Sequence, residues 1–118
     1  MGVQVIHLVR PGTGIPECLA HRLDWPIAGR IAVSSTKSLM GHLIAAAGAV
    51  EAAVCALTIH HGVLPENANL AEPDPECGLD FVCGGPRVRR IRVAVSNSFG
   101  FGGSNSCLVL RNPEEVEG

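Results

Sequence analysis

The sequence predicts an α/β fold in which a buried central helix packs on a mixed sheet. Three observations predict it. One long apolar run, from Leu39 to Ile59, carries small residues at three- and four-residue steps. Short β-branched segments stand before and after that run, and a glycine-rich turn joins two of the later ones. The 118 residues suffice for one domain of modest size. Apolar residues make up 47% and charged residues 17%, which excludes a disordered chain. Tyrosine is absent and aromatics reach only 3%, so Ala, Val, Leu and Ile must fill the core.

Charge and cysteine usage narrow the function classes. A formal net charge of −2 gives no electrostatic footprint for nucleic acid. The five cysteines are an odd number and show no CxxC spacing. That pattern argues against a metal site or a disulfide framework and for a reducing compartment.

In chain order, residues 1–30 mix Pro, Gly and Arg without a sustained period and read as a leader of loop character. Arg10 and Pro11 interrupt its apolar residues and no basic segment precedes them, so no signal peptide is expected. Ile6 stands where a myristoylation start has Ser or Thr. A soluble, cytoplasmic protein is the expectation. "RIAVSS" then reads as a buried strand.

The Leu39–Ile59 run is long enough to cross a bilayer. It contains His42 and Glu51, however, and much of it is Ala and Gly. A charge at mid-bilayer costs at least a few kcal/mol, so a helix covered by protein around its circumference is expected instead. "VLPENANLAEPDPECG" is irregular, "LDFV" a short strand and "RIRVAVSNS" a longer one. "FGFGG" turns the chain, and "SNSCLVLR" returns as an antiparallel strand. The reading is thus a leader over 1–30, a folded portion over 31–111 and a solvated tail over 112–118.

Two constellations can carry chemistry. Lys37 and His42 stand at the mouth of the apolar run, where a first helical turn has unpaired N–H groups and positive potential. Both the helix end and Lys37 disfavour imidazolium, so a neutral His42 donating to a developing oxyanion is one reading. A solvated lysine beside a packed histidine is the other. "NSFGFGGSN", Asn97 to Asn105, is either a structural hairpin or a loop whose glycines let backbone approach a ligand. No GK[ST] follows it, as a phosphate loop would require.

Weaker features have structural readings. Arg87, Arg89, Arg90 and Arg92 suit a solvated strand edge, and His60 and His61 suit the C-terminal end of a helix dipole. Glu51, the sole acid in the apolar run, needs a partner if buried, and Lys37 is the candidate.

"VSSTKSLMGHLIAAAGAVEAA", "LPENANL", "LDFV" and "VSNSFGFGGSNSCLVL" together resemble the C-terminal part of a β-ketoacyl-acyl carrier protein synthase of the elongating type II kind, related to polyketide ketosynthases. The resemblance runs from about Ile31 to Arg111. It implies the C-terminal portion of a thiolase-like fold. It also implies a decarboxylative Claisen condensation of an acyl thioester with malonyl-acyl carrier protein, in fatty acid or polyketide biosynthesis.

In that family, the position of His42 donates to the enolate oxygen, and that of Lys37 maintains the electrostatics and hydrogen-bonding network. Glu51 matches an acid of the same network. Phe99 matches a gating residue whose backbone N–H helps form the oxyanion hole. Asn97, Gly100, Phe101 and Gly102 shape its loop. The implied partner is acyl carrier protein, whose phosphopantetheine carries the substrate, with no cofactor bound to the chain itself. No nucleic acid or membrane partner is expected.

The chain departs from the family pattern in two places. The family nucleophile lies in a segment resembling "TACSS", and none of the five cysteines here has that setting. The second family histidine, from a segment resembling "AHGTGTP", is also missing, since His7 lies in "HLVRPGTG". A chain inactive alone is therefore expected, one that self-associates or joins another ketosynthase subunit. The alternative is a non-catalytic subunit that binds a ketosynthase or acyl carrier protein.

Overall fold

A computed structural model describes residues 3–6 and 31–115. The strands are β1 (Val3–Ile6), β2 (Ala32–Ser34), β3 (Val63–Leu64), β4 (Asp80–Phe81), β5 (Arg87–Val88), β6 (Val93–Phe99) and β7 (Asn105–Arg111). Five of them form a mixed sheet in the order β4-β2-β1-β6-β7. β1 runs parallel to β2 and β6, and β2 parallel to β4. β7 returns antiparallel to β6, Val93 opposite Arg111 and Phe99 opposite Asn105. β3 and β5 make a separate antiparallel pair.

The leader does not read as structure in the sequence, yet Val3–Ile6 is the central strand of this sheet. Its four residues pair with positions far along the chain, Val5 with both Val33 and Val95. Parallel neighbours of this kind leave no local hairpin signal. The rest of the leader, including His7 and Cys18, lies outside the described residues.

The apolar run is not one helix. It divides into α1 (Lys37–Met40), a 3₁₀ turn over Ile44–Ala46, and α2 (Ala47–His61). Gly41 divides it, adopting φ +79° and ψ 178°, a conformation a side chain resists. Gly62 closes α2 in the left-handed conformation and donates its N–H to Thr58 O at 2.9 Å.

α2 lies antiparallel across β6, and the spacing of contacts fixes its direction. A Cβ at Gly48 would sit 3.8 Å from Ser98 Oγ. Glu51 meets Ser96, and Cys55 packs on Ala94. Steps of three and four along the helix match steps of two along the strand, as the two periodicities require. Within α2 only Glu51, Cys55 and Thr58 are buried. Among the described residues the expected cover around the whole helix is therefore not present, and Leu57 is 55% exposed.

By length and composition Ile44–His61 is long and apolar enough to cross a membrane. Its buried stripe, however, holds an acid paired to a lysine and is laid on a sheet. Ile59 links the two hydrophobic clusters, one of Ala32, Leu64, Val82 and Ile91 and one of Cys55 and Ala94.

One smaller expectation changes. Cys77 is buried and disulfide-bonded, whereas Cys55, Cys83 and Cys107 are free. Cysteines distant in sequence meet without CxxC spacing when a fold brings them together. Past β7, Asn112 N–H donates to Arg92 O at 2.9 Å and Pro113–Glu115 form a 3₁₀ turn, with Pro113 and Glu114 exposed.

Candidate active site

Glu51 is 3% exposed and accepts the Lys37 ammonium in an ion pair. Ser96 Oγ reaches its second carboxylate oxygen at 3.5 Å. The pair joins α1 to α2, and the Ser96 contact carries it on to β6. The lysine side chain keeps 18% of its surface and the carboxylate 4%, so Lys37 is the end of the pair that meets the outside. A buried carboxylate needs such a partner, because desolvation alone is worth several kcal/mol.

The turn that carries Lys37 is pinned from the "LPENANL" segment. Asn67 Oδ1 accepts the Ser35 N–H at 2.7 Å. Its Nδ2 donates to Val33 O at 2.9 Å and to Val82 O at 3.1 Å. One side chain thus ties β2, the Lys37 turn and the end of β4. Ser34 Oγ donates to Pro65 O at 2.6 Å, and Ser38 Oγ accepts the Ala68 N–H at 2.9 Å.

His42 does not lie on the first turn of a helix. It occupies the exposed link between α1 and the 3₁₀ turn, where its Nδ1 accepts the Ile44 N–H at 2.9 Å. A ring nitrogen that accepts carries no proton, so in this arrangement the proton sits on Nε2, which is left as the donor. Ile44 itself has φ +51°. A β-branched residue there is strained, at a cost of order 1–3 kcal/mol. That strain turns the Ile44 N–H back onto the histidine.

Phe99 ends β6, about half exposed, and Phe101 stands fully exposed in the turn. The turn closes with Gly100 N–H donating to Ser104 O at 2.7 Å, and Gly102 and Gly103 take φ of +80° and +83°. Bonded and non-bonded pairs alternate along an antiparallel ladder. Gly100 and Ser104 are bonded, so Phe99 and Asn105 are not. The Phe99 N–H is thus directed away from β7, to the side of β6 that β1 lines at Val93–Val95. Asn97, half-buried, is directed the same way.

These groups are two donors, His42 Nε2–H and Phe99 N–H, and one cation held by a buried acid. Among the described residues neither His42 nor Phe99 hydrogen-bonds the Lys37–Glu51 pair. Cys55 is buried, and burial first and the Glu51 carboxylate second push its thiol up to about 11, the reverse of a nucleophile's environment. No cluster of metal-ligating side chains is present among the described residues.

The arginine run is structural at its first member, since Arg87 Nη1 donates to Asp80 Oδ2 at 2.6 Å and bridges β5 to β4. Sequence reasoning singled out neither Asn67 nor Ser96. Ser96 had a signal in the alternation of "VAVSNS", which sets it on the same face as Ala94, under the helix. Asn67 had none beyond membership of a polar loop.

The description "Beta-ketoacyl synthase, C-terminal domain" fits residues 18–71 of this chain, beginning inside the leader. The tetracenomycin polyketide synthase ketoacyl synthase alpha subunit of Streptomyces glaucescens is 49% identical over 86 residues, 73% of this chain and 20% of that protein. The 3-oxoacyl-[acyl-carrier-protein] synthase 2 of Rhizobium meliloti (strain 1021) is 52% identical over 90 residues, 76% of this chain and 21% of that protein.

Among solved structures, a type II polyketide acyl carrier protein in complex with its ketosynthase matches with a TM-score of 0.79 at 30% identity. It covers 93% of this chain and 27% of that one. The ishigamide ketosynthase/chain length factor matches at 0.77 and 31%, with the same coverage. The chain spans about a fifth of the length of the curated relatives it matches.

Proposed function

We propose that this chain, which is similar to part of the C-terminal region of the β-ketoacyl synthase family, supplies one side of a condensing site. The reaction is the decarboxylative Claisen condensation of an acyl thioester with malonyl-acyl carrier protein. Loss of carbon dioxide leaves a thioester enolate, which attacks the acyl carbonyl. His42 Nε2–H donates to the enolate oxygen, and the Phe99 N–H donates to the oxyanion formed on the acyl carbonyl. One such donor is worth about 2.7–4 kcal/mol.

Lys37 sets the positive potential around the site, and Glu51 with Ser96 holds its ammonium in place. Phe99 gates the acyl end, while Asn97, Gly100, Phe101 and Gly102 shape the turn beneath it. The observation that carries the reading is the buried Lys37–Glu51 pair, which has no need to exist in an ordinary apolar core.

The chain works with acyl carrier protein, whose phosphopantetheine delivers the malonyl group, in the cytoplasm. The nucleophile comes from a ketosynthase portion outside these 118 residues. The test is condensation of acyl and malonyl thioesters on acyl carrier protein by this chain, by a ketosynthase truncated before its C-terminal domain, and by the two together. Product from the mixture alone, lost in His42→Ala, supports the reading. Mixtures without product refute it. Acylation of the isolated chain in an intact-mass measurement would instead reveal a nucleophile of its own.

A second reading is favoured by the buried, raised Cys55 thiol and the exposed side of α2. It makes the chain a non-catalytic subunit of a ketosynthase. Co-purification with unchanged turnover, and indifference to His42→Ala, distinguishes it.

A further inference from the structure

Lys37 stands on α1, and α1 does not hold itself. It is one turn of four residues with no buried member and no side-chain cap at Thr36. Forming a first helical turn fixes several dihedrals for one hydrogen bond, so a helix this short does not persist in water unaided. Packing adds little, since Leu39 is 50% exposed and Met40 43%. Glu51, by contrast, lies on α2, which is laid on β6. The two halves of the ion pair therefore differ in support, and the lysine half must be held by something else.

That support comes from the segment after β3. Asn67 and Ala68 grip the two ends of the turn that brackets Lys37. At its start Asn67 Oδ1 accepts the Ser35 N–H at 2.7 Å, and at its end the Ala68 N–H donates to Ser38 Oγ at 2.9 Å. The Ser38 hydroxyl also donates to Ser35 O at 2.7 Å and closes the bracket. A hydroxyl can do both at once, having one donor and two lone pairs.

Asn67 is itself fixed to the frame. Its backbone N–H and its Nδ2 both donate to Val82 O, at 2.7 and 3.1 Å, and Nδ2 donates to Val33 O at 2.9 Å. Val33 and Val82 are both buried.

We propose that Asn67 and Ser38 are positioning residues for Lys37, a clamp that carries the rigidity of the sheet to an ammonium whose own helix supplies none. The lysine stem is a flexible four-carbon chain, so the ammonium meets Glu51 only where the backbone delivers its Cα. The ion pair holds the tip of the side chain and the clamp holds its root. The geometry stands without the condensation reading, whereas the clamp's part in catalysis rests on it.

Lys37 is the only lysine of the chain, which makes its exposure readable in the intact protein. The test is acetylation by acetic anhydride, the rate at Lys37 being taken relative to that at the α-amino group and read by peptide mass. N67A removes the clamp at the Ser35 end. S38A removes it at the other, at an exposed position, and S38T keeps the hydroxyl. S34A breaks the bond from Ser34 Oγ to Pro65 O, which joins the same two segments outside the bracket.

N67A and S38A are expected to raise the relative rate at Lys37 by about three- to tenfold, the shift in an opening equilibrium that one hydrogen bond supports. S38T and S34A keep the parent value, S34A despite a lower stability in urea. Equal rates in all these proteins overturn the proposal, because the ion pair alone then holds the lysine. So does a rise in S34A equal to that in N67A, which makes the effect a general loosening. If circular dichroism shows N67A unfolded, S38A against S38T decides.

In the condensation mixture, S38A lowers kcat, and S38A/K37M loses no more than K37M, as expected of a residue that acts through Lys37. A further loss in the double variant overturns the positioning role. A parent mixture without product refutes the condensation reading instead, and the acetylation rates then decide the clamp alone.

Discussion

Removing the Lys37 cation should cost much more than removing an exposed lysine. Glu51 is buried to 3% and sits between the sheet and α2, so its carboxylate cannot recover water when Lys37 is replaced. Breaking a fully buried pair by deleting one partner costs about 3–5 kcal/mol. Lys37 keeps 18% of its side-chain surface, which places K37M at the lower end, about 3 kcal/mol.

E51Q should cost less, about 1–2 kcal/mol, because the Lys37 ammonium, partly exposed, keeps access to solvent while the amide still meets Ser96. The double variant K37M/E51Q should lose less than the sum, with a coupling of about 1–2 kcal/mol. The assay is urea unfolding at neutral pH for the four proteins, with m-values compared to check that the unfolded states match. A coupling below about 0.5 kcal/mol would refute the reasoning, since exposed pairs reach that level.

Three further outcomes follow from named contacts. Asn67→Ala removes the bonds to the Ser35 N–H, Val33 O and Val82 O, and should destabilise by about 2–4 kcal/mol in urea unfolding. Gly62→Ala puts a Cβ 3.1 Å from Arg89 O at φ +65°, and should lower stability by at least about 1–2 kcal/mol, seen as a drop of about 5–10 °C in Tm. Cys55 holds its proton up to about 11 in the folded chain against 9.0 ordinarily. The folded state then binds more protons than the unfolded one across that window. Its contribution is full below about pH 9 and is lost as pH rises through about 11, some 2–3 kcal/mol in all. Unfolding free energies measured at about pH 8 and about pH 10.5 should fall less in Cys55→Ala than in the parent.

What could be read from the chain depended on how far apart the interacting residues lie. β6 and β7 were legible because the alternation and the glycine turn between them are local. The Lys37–Glu51 contact was legible because a single acid in an apolar run demands a partner. β1 was not, since a four-residue parallel strand is defined by neighbours in the fourth and tenth decades of the sequence. The break at Gly41 was hidden by the uniform apolarity on both sides of it, which moved His42 off the helix where it was expected. Asn67 was hidden for another reason. Its importance lies in satisfying carbonyls of two strands at once, and loop composition carries no record of that.

The position of β1 has a consequence for how the chain is made. Val5 pairs with Val95, so the middle of the sheet cannot close until synthesis has passed Val95. β2 and β4, emerging earlier, can begin one half, while β6 and β7 form a hairpin near the end. β1 must then be captured between two preformed pieces. Its strand pairings are the longest-range among the described residues, and long-range closure slows folding. A ribosome-bound intermediate would wait with both flanking strands open to the wrong neighbour. Trimming the first six residues would not shorten the sheet by an edge but would split it in two.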